Sequence, residues 1–76
     1  MNDQDFEDLK KLVGQNIRSY RLKMNLSQKD LGKISELDPN YIGSVERGER
    51  NISLKNLYII STSLKISIDL LFSKNL

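Results

Sequence analysis

Two helix starts lie eleven residues apart, at Ser27 and at Asp38-Pro39, and Gly48 closes the second. This punctuation constrains the fold more than any other feature of the chain. Ser27 precedes Gln28, and Asp30 stands three residues after it, which resembles a capping box with Asp in place of the usual Glu. A short helix is predicted from Gln28 to about Ser35, with Leu31 and Ile34 inward, and Glu36-Leu37 turns the chain. Asp38 caps the next helix, and Pro39 sits at its first position, where a missing N–H costs nothing. That helix runs through Glu46 or Arg47 and stops at Gly48, a natural left-handed residue. Leu26, Leu31, Ile34, Leu37, Ile42 and Val45 then face one shared core, and the spacing sets the two helices at a steep angle, about residues 27–47.

The second of these helices keeps one face free. Pro39, Asn40, Gly43, Ser44 and Arg47 fall together on it, with no large apolar residue and no acid. Asn and Ser side chains reach base edges or phosphates, Arg forks onto guanine or phosphate, and Gly43 lets the helix lie close to a surface.

The rest of the chain continues in helical spacing. Asp3 or Asp5 opens a first helix carrying Phe6, Leu9, Leu12, Val13, Ile17 and Tyr20, and Asn25 stops it. Ser53 caps a fourth, with Leu54, Leu57, Ile60 and Leu64 on one face. Ser67 caps a very short fifth with Ile68, Leu71 and Phe72. No stretch alternates like a strand for long. The expected fold class is all-α, a compact five-helix domain over residues 1–76, because 76 residues leave no room for a second core.

Composition narrows the function. No cysteine and no histidine are present, which excludes disulfides and thiolate metal sites and removes the commonest general base. An enzyme is not expected, nor a cofactor, a metal or a small-molecule ligand. No apolar run approaches the ~20 residues of a membrane span, and the acidic start is unlike a secretory signal, so a cytoplasmic protein is expected. Asp3, Asp5, Glu7 and Asp8 hold four of the ten acids, so the remaining chain carries twelve bases against six acids. A basic body suits a polyanionic partner, and a solvated charged surface is the alternative reading.

The string from Arg21 to Gln28, then Leu31, then Leu37 through Asn51 and Ser53-Leu54, strongly resembles the phage repressor and Cro-type, or XRE, helix-turn-helix family. The resemblance runs from about Val13 to Phe72. It implies a five-helix repressor-like domain that binds double-stranded operator DNA as a symmetric dimer. The run Glu46-Arg47-Gly48-Glu49-Arg50-Asn51, followed by Ser53, looks like the subset that includes restriction–modification controller proteins. By the same resemblance Gln28 bonds a phosphate and braces the recognition helix, and Asn40 and Ser44 read bases. Tyr41 and Arg47 lie on the flanks, and Arg50, Asn51 and Ser53 contact phosphates or the minor groove. Arg21 and Glu46 match a partly buried ion pair. Ser27 is a cap first and a phosphate contact second, and Lys55 falls in the first turn of the fourth helix, near DNA. Many relatives carry Ala where this chain has Gly32, and Gly where it has Glu36, which puts the geometry of the turn in question. Pro39 offers only apolar contact, which shifts part of the specificity to DNA shape.

The carboxyl end, about residues 59–76, is more apolar than a small domain hides easily. Ile59, Ile66, Ile68, Leu71, Phe72 and Leu76 are expected to contribute to a two-fold interface, with a single core as the alternative. A different class stays open: a protein-interaction module, an antitoxin or antirepressor-like partner, that keeps the helix-turn-helix as a scaffold.

Overall fold

The computed structural model describes residues 2–74. Four α-helices follow one another: α1 (Asp3–Lys23), α2 (Gln28–Ser35), α3 (Pro39–Glu46) and α4 (Leu54–Ser63). A 3-10 helix, Ile68–Phe72, completes the chain, and no strand is present among the described residues. The architecture is all-α, with the expected fifth helix tightened to a 3-10 turn whose Ser67 makes no capping hydrogen bond.

The starts follow from capping chemistry. Asn2, and not Asp3 or Asp5, opens α1: its Oδ1 accepts the Asp5 N–H at 2.8 Å. Asp3 and Asp5 instead occupy the first turn, where negative charge suits the helix dipole. At α2 the capping box is complete. Ser27 Oγ accepts the Asp30 N–H, and the Asp30 carboxylate accepts the Ser27 N–H, both at 2.9 Å. Those two bonds, the backbone one first, hold the Asp30 carboxyl below the usual carboxylate range. Asp38 accepts from Asn40 N–H at 2.8 Å and starts α3, with Pro39 at its first position. Ser53 accepts from Asn56 N–H at 3.0 Å and starts α4.

The ends share one device. Each α-helix closes through a left-handed residue: Asn25 (φ 57°), Glu36 (φ 59°), Gly48 (φ 75°) and Lys65 (φ 59°). The residue after each donates its N–H back across the last turn, Leu26 to Arg21, Leu37 to Gly32, Glu49 to Ser44 and Ile66 to Ser61, at 2.9–3.1 Å. This is the Schellman pattern. Three of the four returning residues, Leu26, Leu37 and Ile66, pack on the core, which offsets the steric cost of a side chain at positive φ.

The core is formed by Val13, Ile17, Leu31, Ile42, Val45, Leu57, Ile60, Leu64 and Leu71. α1 packs against α3 and the 3-10 helix, and α2 packs against α3 and α4. Three residues depart from the sequence expectation. Ile34 is 54% exposed, because the buried side of α2 runs through Leu31, Gly32 and Ser35. Leu54 is 74% exposed, since it precedes the buried stretch Leu57, Ile60 and Ser61 by a full turn at the open start of α4. Leu71 has no exposed surface at all and belongs to the core, not to an interface.

Candidate nucleic-acid interface

Ile42 and Val45 bury one side of α3 and turn the other outward. Pro39 and Asn40 are exposed at its start, and Arg47 is exposed at its end. The Asn40 side-chain amide makes no hydrogen bond among the described residues, so its donor and acceptor are both open.

Between these ends the face is built, not bare. Gly43 is buried, because two side chains close over it. A Cβ at this position would stand 3.1 Å from Gln28 Oε1 and 3.2 Å from Arg47 Nη1. The missing side chain is what leaves room there for both Gln28, from the start of α2, and Arg47, from the end of α3. Gln28 Nε2 donates to Glu46 Oε1 at 3.1 Å. Glu46 in turn accepts from Arg21 Nε at 2.7 Å and Nη2 at 2.9 Å, and Arg21 Nη1 donates to the Leu26 carbonyl at 2.9 Å. Arg21 and Glu46 are both buried, and the hydrogen bonds that Arg21 donates to Glu46 raise the Arg21 pKa against the opposing effect of burial. The one acid on α3 is thereby turned inward and neutralised.

Ser44 requires a correction. It is only 9% exposed, its hydroxyl donates to the Tyr41 carbonyl at 2.7 Å, and its oxygen accepts from Arg50 Nε at 3.2 Å. A hydroxyl committed on both sides is a support for Arg50, not an open reader of bases. Arg50 also lies over the Tyr41 ring, 5.4 Å from its centroid. Tyr41 is half-buried, and its hydroxyl accepts from Asn56 Nδ2 at 3.1 Å. Arg50, an exposed residue, is therefore held on two sides, and α3 is tied to the start of α4. Asn51, Ser53 and Lys55 lie exposed in the loop and first turn beside this tie, and Ser27 is exposed beside Gln28.

Two members of the site carry no signal in sequence spacing. Asn56 enters only through its contact with Tyr41. Glu49 accepts from Arg47 Nε at 2.9 Å and Nη2 at 3.1 Å, an ion pair with both side chains more than half exposed. The hydrogen bonds from Arg47 hold the Glu49 carboxyl below its ordinary range. Only the adjacency of opposite charges in Arg47-Gly48-Glu49 hints at the pair.

At the opposite end Phe72 is 41% and Leu70 37% exposed, while Ile59, Ile66 and Ile68 are half-buried. Leu76 lies outside the described residues. Asn16, buried on α1, fixes this end by donating its amide to the carbonyls of Leu71 and Ser73, each at 2.8 Å. Among the described residues no three His, Cys, Asp or Glu side chains gather as a metal site, and no helix is long and apolar enough to cross a membrane.

Two short capped helices that cross at a tight turn, the second with an open polar face edged by arginines, define a helix-turn-helix protein. Comparison with known proteins gives the same class and narrows it. Residues 17–71 match the helix-turn-helix (HTH_3) family. Control protein C.SmaI of Serratia marcescens is 46% identical over 69 residues, spanning 91% of this chain and 82% of that protein. The crystal structure of the restriction-modification controller protein C.AhdI from Aeromonas hydrophila superposes with a TM-score of 0.81 at 43% identity, over 83% of this chain and 96% of that one. The controller protein C.Esp1396I, solved as a tetramer in complex with its natural 35 base-pair operator, gives 0.77 at 36% identity over 84% of each chain. The chain belongs to the XRE-type helix-turn-helix family and is a regulator of the restriction–modification controller type.

Proposed function

We propose that this chain is a cytoplasmic, sequence-specific double-stranded DNA-binding transcriptional regulator that acts as a homodimer on a pseudo-palindromic operator. The observation that carries the reading is the α3 face. Asn40 stands open at one end of it, Arg47 at the other, and between them the polar ends of Gln28 and Arg47 lie over Gly43. Such a surface enters a major groove, and two of them related by a two-fold axis reach grooves ~34 Å apart. Asn40 is assigned to a base edge and Pro39 to apolar contact. Ser27, Gln28, Asn51, Ser53 and Lys55 are assigned to the phosphates on either side, and they set register, not sequence. Arg50 and Tyr41 form a prearranged edge, and an arginine already held in place gives up less freedom on binding. Phe72 and Leu70, with the outer parts of Ile59, Ile66 and Ile68, are assigned to the dimer contact. The protein does no chemistry of its own in this reading and needs no metal or cofactor.

The test is selection of bound duplexes from a random pool at moderate salt. A two-fold symmetric motif with half-sites about one helical turn apart is expected. No enrichment from a folded sample would overturn the reading and favour a protein partner instead. Binding should also weaken steeply with salt, log K falling ~0.9 for each phosphate neutralised.

A further inference from the structure

We propose that Glu49 is a specificity-determining residue, one that turns Arg47 from a phosphate contact into a base reader by occupying one edge of its guanidinium. The proposal rests on the DNA-binding reading above and assigns Arg47 a ligand within it, the acceptor edge of a guanine.

A guanidinium has five N–H donors. Glu49 takes the Nε donor at 2.9 Å and one Nη2 donor at 3.1 Å, which together make up one edge of the fork. The end edge, one N–H from each of Nη1 and Nη2, stays open. Nη1 rests over Gly43, as the Gln28 amide does, so this exposed side chain keeps one end of its fork against the recognition helix. An open end edge on the recognition helix matches the two acceptors of guanine, O6 and N7.

Charge decides between the two kinds of acceptor. The Arg47–Glu49 pair is neutral as a unit, and a phosphate brought to Arg47 would sit beside the Glu49 carboxylate. Like charges at that separation repel. The edge of a base carries no net charge and meets no such repulsion. A neutral pair also releases no counterion from DNA, so it contributes nothing to the salt-dependent, sequence-independent part of binding. An exposed ion pair adds little to folding, so Glu49 is replaceable without loss of the fold.

Glu49→Gln tests this, because it keeps the shape and removes the charge. Fluorescence anisotropy would compare the selected operator with a random-sequence duplex across a salt series, and circular dichroism would show that the variant is folded. Random-duplex binding should tighten, its salt dependence should steepen by ~0.9 per protomer, and the operator-to-random ratio should fall about tenfold. In an Arg47→Ala background the same change should leave the operator-to-random ratio unaltered. Equal tightening on both duplexes would show simple repulsion and overturn the proposal, as would no change on either. A wild-type protein with no preferred sequence would overturn the parent reading as well. A preferred sequence with an unaltered ratio in the variant would overturn only the role of Glu49.

Discussion

Removing the arginine from the Arg21–Glu46 pair would leave a carboxylate in a site where Glu46 is 7% exposed. Arg21→Met should cost ~3 kcal/mol in urea denaturation, whereas Arg21→Met with Glu46→Leu should recover most of that loss. Strict additivity of the two changes would contradict the coupling. At Gly32 two effects oppose each other. Alanine gains about 1 kcal/mol in helix propensity, but its Cβ would stand 2.7 Å from the Leu37 carbonyl oxygen and 3.0 Å from the Pro39 ring. Backbone does not move aside cheaply, so Gly32→Ala should destabilise by ~1–3 kcal/mol; a higher melting temperature would contradict this. Propensity alone makes Gly32 look like a defect. Its reason is a contact across the turn, which residue spacing does not reveal. The engagement of the Ser44 hydroxyl has the same kind of cause. The place of Ser44 on the outward arc of α3 was legible, but the Arg50 side chain that covers it comes from beyond the helix.

At the scale of elements, starts were more legible than faces. Ser27, Asp38 and Ser53 each cap the helix they announce, because an N-cap is a local bond between a side chain and a backbone N–H two or three residues on. Helix ends were half legible. Gly48 and Glu36 stand out in the chain, whereas Lys65 gives no hint of its positive φ. The apolar residue after it, Ile66, holds the turn by packing on the core, which is a tertiary cause. Glu36→Gly and Lys65→Gly should each stabilise the fold by about 1 kcal/mol, because glycine adopts the left-handed region without steric cost. Lower stability in either variant, read from chemical denaturation, would contradict the assignment. Faces were the least legible. Ile34 and Leu54 fit the helical period, but a short helix crossed by two neighbours buries a narrower arc than the period suggests.

For the whole molecule, adjacent residues at the carboxyl end separate packing from assembly. Leu71 is fully buried and Phe72 is 41% exposed. Leu71→Ala should cost ~2–5 kcal/mol of folding stability. Phe72→Asp should leave the fold intact, shift sedimentation from dimer to monomer and weaken operator binding. An unchanged sedimentation profile would remove Phe72 from the interface. The apolar excess of this end was legible in the sequence, but its division between core and surface was not, since that depends on how Asn16 anchors the 3-10 helix.

In the proposed function the open face of α3 reads sequence. Selection from one random duplex pool by the wild-type protein and by Asn40→Ala, run side by side, tests it most directly. The wild type should recover a two-fold symmetric motif. The variant should recover the same motif with the constraint lost at one symmetric pair of positions, since a good base contact contributes about 1–3 kcal/mol of discrimination. An identical motif from both proteins would show that sequence is read elsewhere on the molecule.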